Sequence, residues 1–94
     1  IPKEYALQQN YPNPFNPSTT ITYDLKAMGE VRLNIYNIIG QKVRTLVNQL
    51  QPAGRWSVVW DGRDDLGTTV TSGVYFYRLE TSGVALTRKM LLLK

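Results

Sequence analysis

The sequence predicts an all-β chain, an antiparallel β-sandwich of about seven strands. Three observations lead there. Apolar and polar residues alternate at period two along almost the whole chain, which marks half-buried strands. Six such runs recur at spacings of about ten residues with turn residues between them, and a short seventh run precedes them near Tyr5 to Gln8. No segment holds apolar residues at helical spacing for long. Val43, Leu46, Val47 and Leu50 come closest and would make at most a helical turn.

The elements follow in order. Thr20 to Leu25 alternates, with Ile21, Tyr23 and Leu25 on one face, and Lys26 to Gly29 is a turn. Val31, Leu33 and Ile35 alternate with Arg32, Asn34 and Tyr36. Asn37 to Gln41, with Gly40 inside it, reads as a hairpin connection. Val43 opens a strand that runs to Val47, and Gln49 to Gly54, with Pro52, reads as a loop. Trp56, Val58 and Trp60 share a face against Ser57 and Val59, which marks both tryptophans as core. Asp61 to Gly73 is a long polar loop, and Val74 to Thr81 is an aromatic and β-branched strand. Ser82-Gly83 is a tight turn. Ala85 to Leu93 is the last strand, with Leu86, Met90 and Leu92 on one face and Thr87, Lys89, Leu91 and Leu93 on the other. The Cys…Trp…Cys pattern of antibody domains is missing, so any immunoglobulin likeness is one of architecture.

Ninety-four residues suffice for one domain, residues 1–94, and are too few for two. The 43% apolar content supports a core without disulfides, and cysteine is absent, as suits the cytosol or an exported bacterial protein that avoids free thiols. The chain starts at Ile1-Pro2 rather than Met, which suggests a piece cut from a longer protein. No apolar run approaches the roughly 18 residues of a transmembrane helix. The net charge of +4 is spread along the chain without a basic cluster interleaved with aromatics, so nucleic acid is not an expected partner. Catalysis has little to stand on. There is no His and no Cys, and neither Ser57 nor Ser72 sits in a nucleophile elbow. No cofactor is expected, and a monomer is the default state.

Three constellations remain. Gln9 to Pro17 holds three prolines, Pro12, Pro14 and Pro17, which remove amide donors and bias their predecessors toward extended geometry. This segment predicts a stiff loop closing one end of the sandwich. Asn13 and Asn16 would cap local turns, and Tyr11 and Phe15 would anchor it to the core. A docking surface is its functional reading. Trp60 to Gly67 carries Asp61, Asp64 and Asp65, a weak calcium candidate whose spacing misses the EF-hand pattern; carboxylates accepting loop amides are the plainer reading. In Ser72 to Arg78, Gly73 supplies a special backbone geometry at the strand entry, and Tyr75 and Tyr77 share a face, where a tyrosine hydroxyl often ties down a loop. The terminal stretch from Val84 holds Arg88, Lys89 and Lys94 and no acid, as a solvated edge strand would.

In this order the motifs closely resemble the type IX secretion system type A C-terminal sorting domain, and are similar to the immunoglobulin-like domain of flagellar hook-capping proteins. The likeness runs from about Tyr5 to Lys94. It rests on Gln9-Asn10-Tyr11-Pro12-Asn13-Pro14-Phe15-Asn16-Pro17, Val31-Arg32-Leu33, Ile35-Tyr36-Asn37 with Gly40, Pro52-Ala53-Gly54, Trp60-Asp61-Gly62, Gly67, Ser72-Gly73-Val74-Tyr75 and Lys89-Met90-Leu91-Leu92-Leu93-Lys94. The resemblance implies a non-catalytic tag on a passenger domain, reaching the cell surface or medium through the periplasm of a Gram-negative bacterium. It implies outer-membrane secretion proteins and a sortase-like protease as partners, with Lys94 as the tag's end. By motif matching, Gly73, Tyr75, Lys89 and Lys94 are the recognition candidates, while Pro12, Asn13, Pro14, Phe15, Asn16 and Pro17 form a structural loop. The rival readings are an accessory spacer on a secreted hydrolase, a hook-capping-like scaffold, and a carbohydrate-binding module. The last would need an exposed aromatic pair, Tyr75 with Tyr77 or Tyr11 with Phe15.

Overall fold

Each alternating run becomes a strand in the computed structural model, which describes all residues, 1–94. The strands are β1 (Ala6–Leu7), β2 (Thr19–Leu25), β3 (Gly29–Tyr36), β4 (Lys42–Gln51), β5 (Gly54–Trp60), β6 (Gly73–Thr81) and β7 (Val84–Leu92). They form two antiparallel sheets, one ordered β1-β2-β5 and the other β4-β3-β6-β7. The chain changes sheet between β2 and β3, between β4 and β5, and between β5 and β6. This is an immunoglobulin-like sandwich, as the sequence predicts.

Period-two patterning becomes a core because each strand turns one face inward. Ile21, Tyr23 and Leu25 of β2 are buried opposite Val31, Leu33 and Ile35 of β3 and Tyr75, Tyr77 and Leu79 of β6. Trp60 closes one end of this layer, and Trp56 and Val58 pack against it from the same face of β5. Ser82 (φ 47°) and Gly83 (φ 78°) both have positive φ, the geometry of a two-residue turn that continues the twist of β6 into β7.

The strand opened by Val43 runs on to Gln51, so the expected loop from Gln49 shrinks to Pro52-Ala53. The ladder continues because Gln49, Leu50 and Gln51 pair with Val31, Glu30 and Gly29. The buried Gln51 amide oxygen also accepts the Tyr23 hydroxyl at 2.6 Å. The helix-like spacing of Val43, Leu46 and Val47 has a cause in the same strand. Asn34 pairs with Thr45 and Leu33 with Val47, which leaves Leu46 unpaired, and a second shift leaves out Val43. Two β-bulges add an inward side chain each, so Val43 and Leu46 both pack on the core.

On the outer face of the smaller sheet, Asp24 and Arg55 are directly opposed. Arg55 donates from Nε and Nη2 to the two carboxylate oxygens at 2.8 and 3.1 Å. Those bonds hold the Asp24 carboxyl below its ordinary range, against the opposing push of burial.

Candidate recognition site at the terminal strand

β7 is an edge strand, and Lys89 and Lys94 are exposed, as the sorting reading expects. Its outer edge is not bare, because the proline-rich segment lies along it. Phe15 donates its N–H to the Leu91 carbonyl and accepts the Leu93 N–H, both at 3.0 Å, forming a parallel bridge opposite Leu92. The Asn13 side-chain oxygen accepts the Leu91 N–H at 3.0 Å, and Gln9 Nε2 donates to the Lys89 carbonyl at 2.8 Å. Arg88 Nε donates to the Leu7 carbonyl. An edge strand presents a row of unpaired backbone groups. Here the 9–15 segment consumes those of residues 89–93 and leaves side chains, not backbone, as what β7 offers to a partner along that length.

The loop closes the sandwich by spanning both sheets. Tyr11 exchanges backbone hydrogen bonds with Thr20 of β2 at 3.0 and 2.9 Å, while Phe15 reaches β7. Two expectations for the loop need correction. Phe15 is buried as an anchor, but Tyr11 is 81% exposed, because its backbone bridge to Thr20 leaves its side chain facing solvent. Asn13 serves the distant strand rather than a local turn. The local organiser is Asn10, buried, whose Nδ2 donates to Thr19 Oγ1 at 2.9 Å and to the Pro12 carbonyl at 3.2 Å. Thr19 Oγ1 in turn donates to the same carbonyl at 2.8 Å. The bonds preceding Pro12, Pro14 and Pro17 are cis.

Motifs far apart in the chain meet behind this strand. The Phe15 ring lies 5.7 Å from Trp60, and Trp60 packs edge-on against Tyr75 at 5.4 Å. Gly62 has φ +76°, and a Cβ there would meet the Pro17 carbonyl at 3.1 Å. The Trp-Asp-Gly motif is therefore where the chain must turn tightly against the proline loop.

The four recognition candidates fall into two kinds. Lys89 and Lys94 present their ammonium groups to solvent, and the Lys94 N–H is fixed by Ser72 Oγ at 3.0 Å. Tyr75 is buried, and its hydroxyl donates to the Thr71 carbonyl at 2.7 Å, so it shapes the turn ahead of β6. Gly73, opposite Leu92, takes φ +151°, and nothing lies within 4 Å of a Cβ built there. Its need for glycine comes from backbone geometry alone. Beside Gly73 opens a hollow of about 470 Å³ lined by Ile38, Ile39, Val43, Val70 and Val74. Tyr77 performs the loop-tying expected of a tyrosine here: its hydroxyl donates to the Gln8 carbonyl at 2.6 Å and accepts the Asn10 N–H at 2.8 Å. Burial pushes its phenol pKa up, opposed by the Asn10 hydrogen bond and the nearby Arg88 charge.

The aspartates of the 61–67 loop accept amides. Asp64 Oδ1 receives the N–H groups of Leu66 and Thr68, Asp61 Oδ1 that of Arg63, and Asp65 Oδ1 that of Thr45 at 3.0 Å. Arg44 stands 3.3 Å from Asp61 and 3.9 Å from Asp65. Asp61, Asp64 and Asp65, the weak calcium candidate, do not gather into a group of three ligands, and a guanidinium faces Asp61 and Asp65. The aromatic pairs expected of a sugar platform also fail, since Tyr75, Tyr77 and Phe15 are buried.

The sequence model of the FlgD Ig-like domain matches residues 15–83. No curated protein sequence is matched. Among solved structures, latent PorU from Porphyromonas gingivalis superposes with a TM-score of 0.74 at 19% identity, over 96% of this chain and 9% of that one. FlgD from P. aeruginosa superposes at 0.64 with 27% identity, over 80% of this chain and 60% of that one. PorZ, a surface component of the type IX secretion system of P. gingivalis, superposes at 0.61 with 21% identity, over 96% and 11%. The chain thus spans less than two thirds of each of these proteins.

Proposed function

The chain belongs to the FlgD Ig-like domain family, and from that premise we propose that it is a non-catalytic recognition module, the secretion and surface-sorting signal of a larger exported bacterial protein. In this reading it is carried through the periplasm to the outer membrane, where secretion proteins read the folded domain and a sortase-like protease can remove it. One observation carries the proposal. β7 is clamped at residues 89–93 by the proline-rich segment, so Lys89 and Lys94 are displayed from a fixed edge rather than a fraying one. Likeness in fold to PorZ, a type IX secretion component, supports the same reading. Gly73 and Tyr75 would act by setting the turn that Lys94 contacts through Ser72.

The test is a reporter fused ahead of the chain in a host with type IX secretion. Deleting residues 85–94 removes core residues Met90 and Leu92 and would abolish export through unfolding alone. The double change Lys89→Glu with Lys94→Glu leaves the core intact. Export lost at unchanged thermal stability is the expected result; export unchanged by the charge reversal removes recognition through these lysines, and export unchanged by the deletion ends the sorting reading.

A second reading has its own support. FlgD resembles this chain at higher identity than either Por protein. An assembly or spacer module would remain on the mature protein, so mass spectrometry of the exported polypeptide separates the two.

A further inference from the structure

The outer face of the four-stranded sheet carries a row no motif announces. Lys42 of β4 is the partner of Tyr36 on β3, Tyr36 of Phe76 on β6, and Phe76 of Lys89 on β7. Four strands in register thus line up a lysine, two half-buried aromatic side chains and a second lysine, on a span of about 14 Å at the usual strand spacing. The next row holds Asn34, Arg78 and Thr87, likewise in register. Asn34 is 8% exposed, and its Oδ1 finds no hydrogen-bond donor in the protein. A hollow of about 440 Å³ lies over this region, with Tyr36, Phe76, Arg78, Glu80 and Thr87 in its lining and the Asn37–Gly40 turn as its rim.

We propose that this face binds an acidic oligosaccharide. Two aromatic side chains side by side offer apolar surface to the C–H faces of successive sugars. Arg78 and Thr87 offer the mixed donors and acceptors that hydroxyls need. The lysines at both ends suit carboxylates on the outer residues of the ligand. Charge on the face is mixed but favours an anion: Arg32, Lys42, Arg78 and Lys89 stand against Glu30 and Glu80, and Glu80 is already paired with Arg78 at 3.7 Å. A peptide is a poorer fit. β3 and β6 each have strand neighbours on both sides, so their backbone groups are engaged and only side chains are available to a ligand.

The proposal stands apart from the sorting reading, and its experiment uses the 94-residue chain alone. Affinity electrophoresis at low ionic strength would compare polygalacturonate with dextran, a neutral glucan, and polyacrylate, a polyanion without sugar. Retardation by polygalacturonate is expected, with polyacrylate about tenfold weaker and dextran without effect. Tyr36→Ala and Phe76→Ala should each weaken it about tenfold. Lys42→Glu, at an exposed position, should weaken it at unchanged Tm. No retardation by polygalacturonate overturns the proposal, as does equal retardation by polyacrylate or dextran. So does binding that survives loss of both aromatics.

Discussion

Tyr77 and Gln8 are joined across the sandwich by a 2.6 Å hydrogen bond from the phenol to the carbonyl, and the same oxygen accepts the neighbouring Asn10 amide. One side chain of β6 thereby fixes the path of the chain as it enters the proline-rich segment. Tyr77→Phe removes a donor and leaves the Asn10 N–H without its acceptor, a loss of about 2 kcal/mol, or roughly 10 °C in Tm for a domain of this size. Tyr75→Phe gives up a single bond to Thr71 and should cost about 1 kcal/mol. Thermal melts of the two variants check the order; a smaller loss for Tyr77→Phe would contradict the two-bond role.

Tyr23 and Tyr77 also predict the alkaline limit. Burial raises both phenols, more than the Gln51 and Asn10 hydrogen bonds lower them. A raised folded pKa stabilises fully below the unfolded value of about 10 and is lost as pH climbs through the folded one. Absorbance at 295 nm should therefore show Tyr23 and Tyr77 ionising above the ordinary phenol range, together with unfolding. Ionisation of Tyr23 and Tyr77 in the ordinary phenol range at native circular dichroism would refute it.

At the acid end the sign reverses. Asp24 is held below its ordinary pKa chiefly by the Arg55 hydrogen bonds. Its contribution is present above about pH 4 and disappears as pH falls through the folded value. Asp24→Asn should flatten the drop in Tm between about pH 5 and pH 2 relative to wild type. Parallel Tm curves for the two proteins would show that Asp24 contributes nothing to that limb.

Phe15 and Tyr11 stand four residues apart in one loop and should behave oppositely. Phe15→Ala opens a cavity against Trp60 and should cost about 3 to 5 kcal/mol. Tyr11→Ala, at an exposed side chain, should stay within about 0.5 kcal/mol. Urea melts decide it, and comparable losses would mean that Tyr11 packs after all.

The strands were legible because each buries one face, and period two records that directly in Ile21, Tyr23 and Leu25 or Val31, Leu33 and Ile35. β4 runs past its expected end because Gln49 to Gln51, which read as a loop ahead of Pro52, still pair with β3; the bulges at Val43 and Leu46 account only for the helix-like spacing. The burial of Phe15 was readable from its setting, yet the exposure of Tyr11 depends on which carbonyl its amide meets across the sheet. The clamp on β7 was hidden for the same reason: Gln9, Asn13 and Arg88 are ordinary polar residues until their distant partners are known. The row from Lys42 to Lys89 follows from register across four strands, which no single stretch of sequence encodes.

The bonds that seal β7 link residues far apart in the chain: Gln9 to Lys89 spans 80 positions, and Leu7 to Arg88 spans 81. Contacts of such separation impose a closure entropy before they return any stability, and they slow folding. The fold is thus a clasp whose two halves lie some 80 residues apart in the chain. A growing polypeptide holds its proline segment ready but unfastened until residues 89–93 emerge. A copy truncated before them would keep an open edge, prone to pairing with its neighbours and to proteolysis. The clasp shuts only once residues 89–93 are in place, which makes closure a late event in the folding of this domain.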